Sequence, residues 1–242
     1  MKLYLPHDKI SKLISACKTL LSIKNPTLRQ VGHVTGLIVS ALPAVQYLQL
    51  HYRSIELCKS QQLHKGFGFD DITSISDEAY NDLLWISSNV AKYNGKPIIE
   101  PKIDLYIESD ASLFGWGASF NGQNIGGRWT RDEGENHINY LELLAAFFGL
   151  RSFAGCKRSV HIRVKMDNTT AIAYINNRGG IRSDGLDKLS KCIWEWCLER
   201  DIWLSAEHVP GVENTQADFN SRTFSDNVEW HLNRQVFCDS QS

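Results

Sequence analysis

Four carboxylates stand at positions where a folded sheet would gather them: Asp110, Glu142, Asp167 and Asp218. Asp110 closes a run in which Ile103, Leu105 and Ile107 alternate with Asp104, Tyr106 and Glu108, the period of a half-buried strand. Glu142 lies in NYLELLAAFFGLRSF, among Leu141, Leu143 and Leu144, on a helix with little polar strip to carry it. Asp167 follows a second alternating run, and Asp218 sits in NTQADFNSR. Taken singly, each has an ordinary use: a solvated glutamate, a helix N-cap, an acid favoured by a helix dipole. Taken together they are harder to explain away. In an α/β sheet whose central strand comes first, that strand's end, the first helix and the end of the next parallel strand meet at one edge. Carboxylates so crowded cannot all ionise without cations. Two divalent ions about 3.5–4 Å apart would neutralise them and clamp the attacking and leaving oxygens of an in-line phosphoryl displacement. All-oxygen ligands favour Mg²⁺, with Mn²⁺ as the alternative, over zinc.

The elements that must position these groups are readable from pattern. A strand over 103–110 is followed by one over 115–120, and Asn121-Gly122 supplies a type I′ turn into a third over 124–129. A helix is expected over 139–153, a strand over 160–166, a short helix over 168–177, a helix over 183–200, a strand over 202–207 and a helix over 214–222. This succession predicts a mixed sheet with helices on its faces. Ahead of it, 7–21 reads as an amphipathic helix broken at Asn25-Pro26, and Thr27 with Gln30 forms a capping box for a second. A third helix is expected over 44–57, a loop over 61–71, and a fourth helix from Ser76 to Val90. The turn Asn94-Gly95-Lys96-Pro97 marks a boundary, so residues 1–98 form a mainly helical segment and 99–242 an α/β domain. The opening KLYLP alternates like the tail of a strand, which predicts a chain beginning inside a larger folded unit.

Hydrophobic content of 43% and charged content of 22% suit a globular protein, and no apolar run reaches the ~20 residues that span a bilayer. No secretory leader pattern opens the chain. Cys17, Cys58, Cys156, Cys192, Cys197 and Cys238 form no CxxC pair, which predicts free thiols in a reducing, intracellular setting, cytoplasmic or nuclear. The net charge of −1 hides an asymmetry: residues 1–65 hold nine Lys/Arg against only Asp8 and Glu56. A basic arm beside an acidic domain suits a protein that grips a polyanion with one part and acts on it with the other.

The blocks SDASLFGWGA, GGRW, HINYLELLA, MDNTTAIAYINNRGG and AEHVPGVENTQADFNSR carry the chain to a known family. In that order they resemble the ribonuclease H region of reverse transcriptases from DIRS-type retrotransposons, over about residues 100–225. The order of the four acids resembles the type 1 ribonuclease H fold. Residues 1–98 are similar to the thumb and connection stretch of such enzymes, and no YxDD polymerase motif occurs.

The resemblance implies a ribonuclease H-like mixed five-stranded sheet flanked by helices. It implies hydrolysis of the RNA strand of an RNA–DNA hybrid with two Mg²⁺, the polymerase part of the same polyprotein as a partner, and no membrane. Asp110 would bridge both metals, with Glu142 and Asp167 completing one site and Asp218 the other. Asn139 falls at the minor groove, where a 2′-OH is read. Asn168 and Thr169 open a helix suited to a DNA phosphate. Ser112 and the nearby glycines read as small residues that leave room for a nucleic-acid backbone. His208 stands where relatives pack an aromatic and reads as structural. Only Arg178 and Arg182 supply charge beside Gly179-Gly180, so grip is expected from residues 1–65. Two other readings stay open: a degenerate nucleic-acid-binding scaffold without cleavage, and another nuclease of the same superfold.

Overall fold

The computed structural model describes residues 1–180, 182–211 and 214–223. β1 (Lys2–Leu3) leads to α1 (His7–Ser22), which buries Ile10, Leu13, Cys17 and Leu20 on one face. Thr27 opens α2 (Leu28–Ala41) with the expected capping box: its hydroxyl accepts from Gln30 N, and its own N–H donates to Gln30 Oε1 at 2.9 Å. A 3₁₀ turn (Leu48–His51), α3 (Arg53–His64) and α4 (Asp77–Asn89) follow, the last capped by Ser76, whose hydroxyl accepts from Ala79 N. β2 (Lys96–Pro97) pairs antiparallel with β1, so the opening alternation does form a strand, two residues long.

One expected helix is displaced. Residues 44–47 are not helical, because their polar backbone groups bond elsewhere. Gln46 N donates to Tyr93 O, both Gly95 N and Lys96 N donate to Ala44 O, and Tyr47 takes a left-handed φ of 62°. A chain committed to that pairing cannot continue i→i−4 bonds, so α3 starts nine residues later than expected. It then runs through 61–64, which had read as loop.

The rest builds the sheet: β3 (Leu105–Ala111), β4 (Gly115–Phe120), β5 (Gln123–Arg128), the four-residue α5 (Arg131–Gly134), α6 (Ile138–Ala154), β6 (His161–Met166), α7 (Thr169–Asn176), α8 (Asp184–Leu198), β7 (Trp203–His208) and α9 (Thr215–Arg222). Asn121 and Gly122 both have positive φ, 49° and 77°, as the type I′ turn between β4 and β5 requires. The strand order is β5-β4-β3-β6-β7, antiparallel across the first three and parallel from β3 to β7. This is the ribonuclease H-like fold, a five-stranded mixed sheet flanked by helices and preceded by a mainly helical segment. α5 carries a capping box, Thr130 to Glu133, in a stretch for which no helix was expected.

Among the described residues one small cluster and two large hydrophobic cores result. One joins α1 to α4 through Leu13, Val34, Ile38, Leu48, Leu83 and Ile86. The other lies between the sheet and α6 to α8, and it also takes Tyr47 and Leu50 from the helical segment. The displaced stretch around Tyr47 is thus what docks the first segment onto the second: Tyr47 packs edge-on to Tyr93 and lies 6.0 Å from the Trp194 ring. A buried polar knot adds to the joint. Asp82 accepts from His51 Nδ1 at 2.7 Å, Ser54 Oγ at 2.5 Å and Lys191 Nζ of α8 at 2.8 Å, with His51 stacked on Trp85. Among the described residues no helix is long and apolar enough to cross a membrane. Cys17, Cys58, Cys156, Cys192 and Cys197 are free thiols, as expected, while Cys238 lies outside the described residues.

Candidate active site

β3 is the central strand, with β4 on one side and β6 on the other, so its C-terminal end opens onto the edge where the parallel strands end. Asp110 sits there, 5% exposed, over a small apolar floor of Ala111, Leu141 and Ala145. α6 is apolar nearly all round because it is buried against β3, β4, α7 and α8. Glu142, one residue past Leu141, therefore has no solvent to turn to and is also 5% exposed. Asp167 follows β6 and is exposed. It is not the helix cap that its local sequence allows: Asn168 caps α7, its Oδ1 accepting from Ala171 N at 2.9 Å. Asp167 is left free to face the other acids.

Ligating oxygens of Asp110, Glu142 and Asp167 all lie within 4.8 Å of one another. The electrostatic signature is that of an uncompensated cluster. Burial pushes the Asp110 carboxyl up to about 6, the charges of Asp167 and Asp218 add to that, and a hydrogen bond from Ser221 opposes it. Burial pushes Glu142 to about 9, with Asp110 and Asp167 adding repulsion and the Ala111 N–H opposing it. Glu142 Oε2 is buried with no hydrogen-bond partner. A buried acceptor without a donor and acids that repel one another are what a divalent cation would relieve, so the residues present fit one. With one wall of the trio exposed, substrate and water have access.

Asp218 stands on α9 near enough to raise the Asp110 carboxyl, but outside the close trio. Its Oδ1 pairs with Arg222 at 2.7 Å, one turn further along. Ser221 and Arg222 were missed in the sequence, although they follow Asp218 at helical spacing, i+3 and i+4, and so share its face. Ser221 Oγ donates to Asp110 Oδ2 at 2.6 Å, and Asn214 Nδ2 donates to Ser109 O at 3.0 Å, so both ends of α9 are tied to β3.

The remaining expected positions are also located. Asn139 and Asn168 are brought together, Asn168 Nδ2 donating to Asn139 Oδ1 at 3.0 Å beside the trio, with Thr169 opening α7. The Ser112 hydroxyl is taken up in the β3–β4 turn, accepting from Phe114 N and Gly115 N at 3.1 Å and donating to Ser221 O at 2.6 Å. The sheet glycines have a different reason from the one expected. A Cβ on Gly117 would come within 2.6 Å of Ser221 N and closer still to Ala217 O, and one on Gly126 within 2.7 Å of Asn220 O. Both make room for the backbone of α9. His208, at the end of β7 opposite Met166, is exposed, which differs from the packed position expected of it.

A ribonuclease H-like fold with a carboxylate trio at the end of its central strand is the class defined by this geometry. Comparison with known proteins adds likenesses of limited extent. No family model matches. The chain is similar to the enzymatic polyprotein of Cauliflower mosaic virus (strain D/H), 29% identical over 166 residues, which cover 60% of this chain and 23% of the viral one. The chain thus spans about a quarter of the length of the curated relatives it matches. Among solved structures it is similar to RNase H1 from the halophilic archaeon Halobacterium salinarum NRC-1, at 18% identity and a TM-score of 0.38, covering 48% of this chain and 90% of that one. It is also similar to the foamy viral protease-reverse transcriptase in complex with RNA/DNA hybrid, at 13% identity and a TM-score of 0.31, covering 95% of this chain and 29% of that one.

Proposed function

We propose that this chain hydrolyses the RNA strand of RNA–DNA hybrids as the ribonuclease H part of a retroelement reverse transcriptase of DIRS type. In this reading, residues 1–98 are its thumb and connection segment and 99–242 its nuclease domain. The observation that carries the reading is the meeting of Asp110, Glu142 and Asp167 at the adjoining ends of β3, α6 and β6. Two Mg²⁺, or Mn²⁺, held by these three and Asp218 would supply charge neutralisation and Lewis acidity for an in-line displacement at phosphorus. The chain's own residues do the rest. Buried Leu141 and Ala145 close the floor beneath the acids against water. Ser221 holds Asp110 in one orientation. Asn139 and Asn168 fix each other at the mouth, where Asn139 reads a ribose hydroxyl, while Thr169 and the free N–H groups of α7 face a phosphate of the DNA strand.

The test is direct: purified chain, an RNA–DNA hybrid labelled on the RNA strand, and Mg²⁺. RNA cleavage is expected, and Asp110→Asn or Glu142→Gln abolishes it. No cleavage by the wild type, or cleavage that survives Asp110→Asn, overturns the reading. A second reading, a scaffold that binds hybrid without cutting, draws on Arg222, whose guanidinium already neutralises Asp218. Tight hybrid binding with no Mg²⁺-stimulated cleavage would favour it.

A further inference from the structure

Asp218 and Arg222 lie one turn apart on α9, and Asp218 Oδ1 accepts from both Nε and Nη2 of Arg222 at 2.7 Å. An acid four residues ahead of a base at the C-terminal end of a helix is an ordinary stabilising pair, and that alone assigns it no role. Its surroundings are not ordinary. The hydrogen bond to Asp218 and the Asp218 charge raise the pKa of Arg222, and the charges of Asp110 and Asp167 add to this, so its guanidinium lies in the field of three acids. Burial raises the Asp110 carboxyl, and the Arg222 charge is among the effects that lower it. The anchoring is asymmetric. Ser221, one residue back, is buried and donates to Asp110 Oδ2 at 2.6 Å, which pins the end of α9 to β3. The Arg222 side chain beyond it is 66% exposed and that of Asp218 41%. The base of the arginine is thus fixed beside the acids while its guanidinium is free to leave Asp218, because an ion pair this exposed contributes little and its side chains change rotamer quickly. The four acids divide accordingly. Asp110, Glu142 and Asp167 form the close trio with an orphaned Glu142 oxygen, whereas Asp218 already has its cation.

We propose that Arg222 is a tethered cation that holds the Asp218 side of the site while no metal is bound, and that it must leave Asp218 before that carboxylate can ligate. The trio has no such competitor within it, so the site fills in order: the trio first, the Asp218 position second. Arg222 thereby sets how much divalent cation the second position needs, and it spares Asp110 part of the repulsion from Asp218 until then. This order rests on the reading of the four acids as a two-cation site, but the test is one of binding and needs no cleavage.

The experiment is an NMR titration of the full chain with Mg²⁺, following the Arg222 Nε–H resonance and, in parallel, the backbone amides of Asp110 and Asp218. In the wild type the Asp110 amide is expected to shift first. At higher Mg²⁺ the Arg222 signal then moves to the position it holds in Asp218→Asn. Arg222→Gln is expected to bind Mg²⁺ at the Asp218 amide about two- to fivefold more tightly, the equilibrium equivalent of an exposed ion pair. Arg222→Lys, which keeps the charge, stays near the wild-type affinity, and in the Asp218→Asn background Arg222→Gln has little further effect. An Arg222 signal that does not move at saturating Mg²⁺ overturns the proposal, and so does an unchanged affinity in Arg222→Gln with native circular dichroism. Hybrid cleavage that persists beside either of those results leaves the nuclease reading standing. A wild type in which Arg222 moves as expected but RNA is never cut sinks that reading and leaves this one.

Discussion

Ser221 on α9 donates its hydroxyl proton to Asp110 Oδ2 across 2.6 Å, joining two residues 111 positions apart in the chain. This hydrogen bond opposes the upward push on the Asp110 carboxyl, and it fixes which way that carboxylate faces. Partners of this kind set ligand basicity and orientation, and losing one costs about 10–100-fold in metal affinity or activity. Ser221→Ala is therefore expected to weaken Mg²⁺ binding by about tenfold, measured by isothermal titration calorimetry. Wild-type affinity in the variant would show that the bond is incidental.

The acid trio strains the metal-free protein, because its like charges are held together by the fold. Asp110→Asn removes one of them, so the variant without metal is expected to be more stable than the wild type. The gain is on the order of 1 kcal/mol, or about 2–4 °C in melting temperature. Mg²⁺ is expected to raise the wild-type melting temperature by linkage and to lose most of that effect in the variant. Calorimetric melting with and without ~10 mM Mg²⁺ decides it: a variant melting below the wild type without metal contradicts this account.

Two glycines make a matched pair for packing. Gly117→Ala drives a methyl into the α9 backbone at Ser221 N and Ala217 O, neither of which can swing aside. Overpacking of this kind costs about 1–3 kcal/mol, and here it also shifts Ser221 and Asp218, so hybrid cleavage should fall with stability. Gly36→Ala, within α2 with nothing within 4 Å of the new methyl, should instead stabilise by about 0.5–1 kcal/mol and leave cleavage alone. Urea unfolding of the two variants gives both numbers, and equal effects would refute the packing argument.

The knot at the joint predicts a pH dependence. Burial alone would raise the Asp82 carboxyl, but hydrogen bonds from His51, Lys191 and Ser54 and the Lys191 charge outweigh it and hold the group below the ordinary carboxylate value. A depressed carboxyl contributes stability that is present above its unfolded value, about pH 4, and is lost as pH falls through the lowered folded value. Asp82→Asn is expected to cost about 3 kcal/mol at pH 7, since it leaves Lys191 without its buried partner, and to flatten the loss of stability below about pH 4. Denaturant titrations at about pH 7, 4 and 3 check both, and parallel acid slopes in variant and wild type would rule Asp82 out.

What the sequence alone determined is local. The strand at Asp110, the Asn121-Gly122 turn, the Thr27 and Ser76 caps and the apolar helix around Glu142 follow from period, turn chemistry and capping, all short-range effects. The four acids were legible as candidates, because an acid in so apolar a helix has few other uses. What only the tertiary structure decided is which groups meet. Tyr47 breaks the expected helix because residues 93–96 compete for its neighbours' backbone bonds, and nothing within a few residues announces that partner. Gly117 of β4 and Gly126 of β5 serve α9, some hundred residues away, and Ser221 and Arg222 reach the site only once α9 lies against β3. The orphaned oxygen of Glu142 belongs to the same class: burial is a property of the assembled layers, and it turns an acid on a helix into one member of a crowded carboxylate trio.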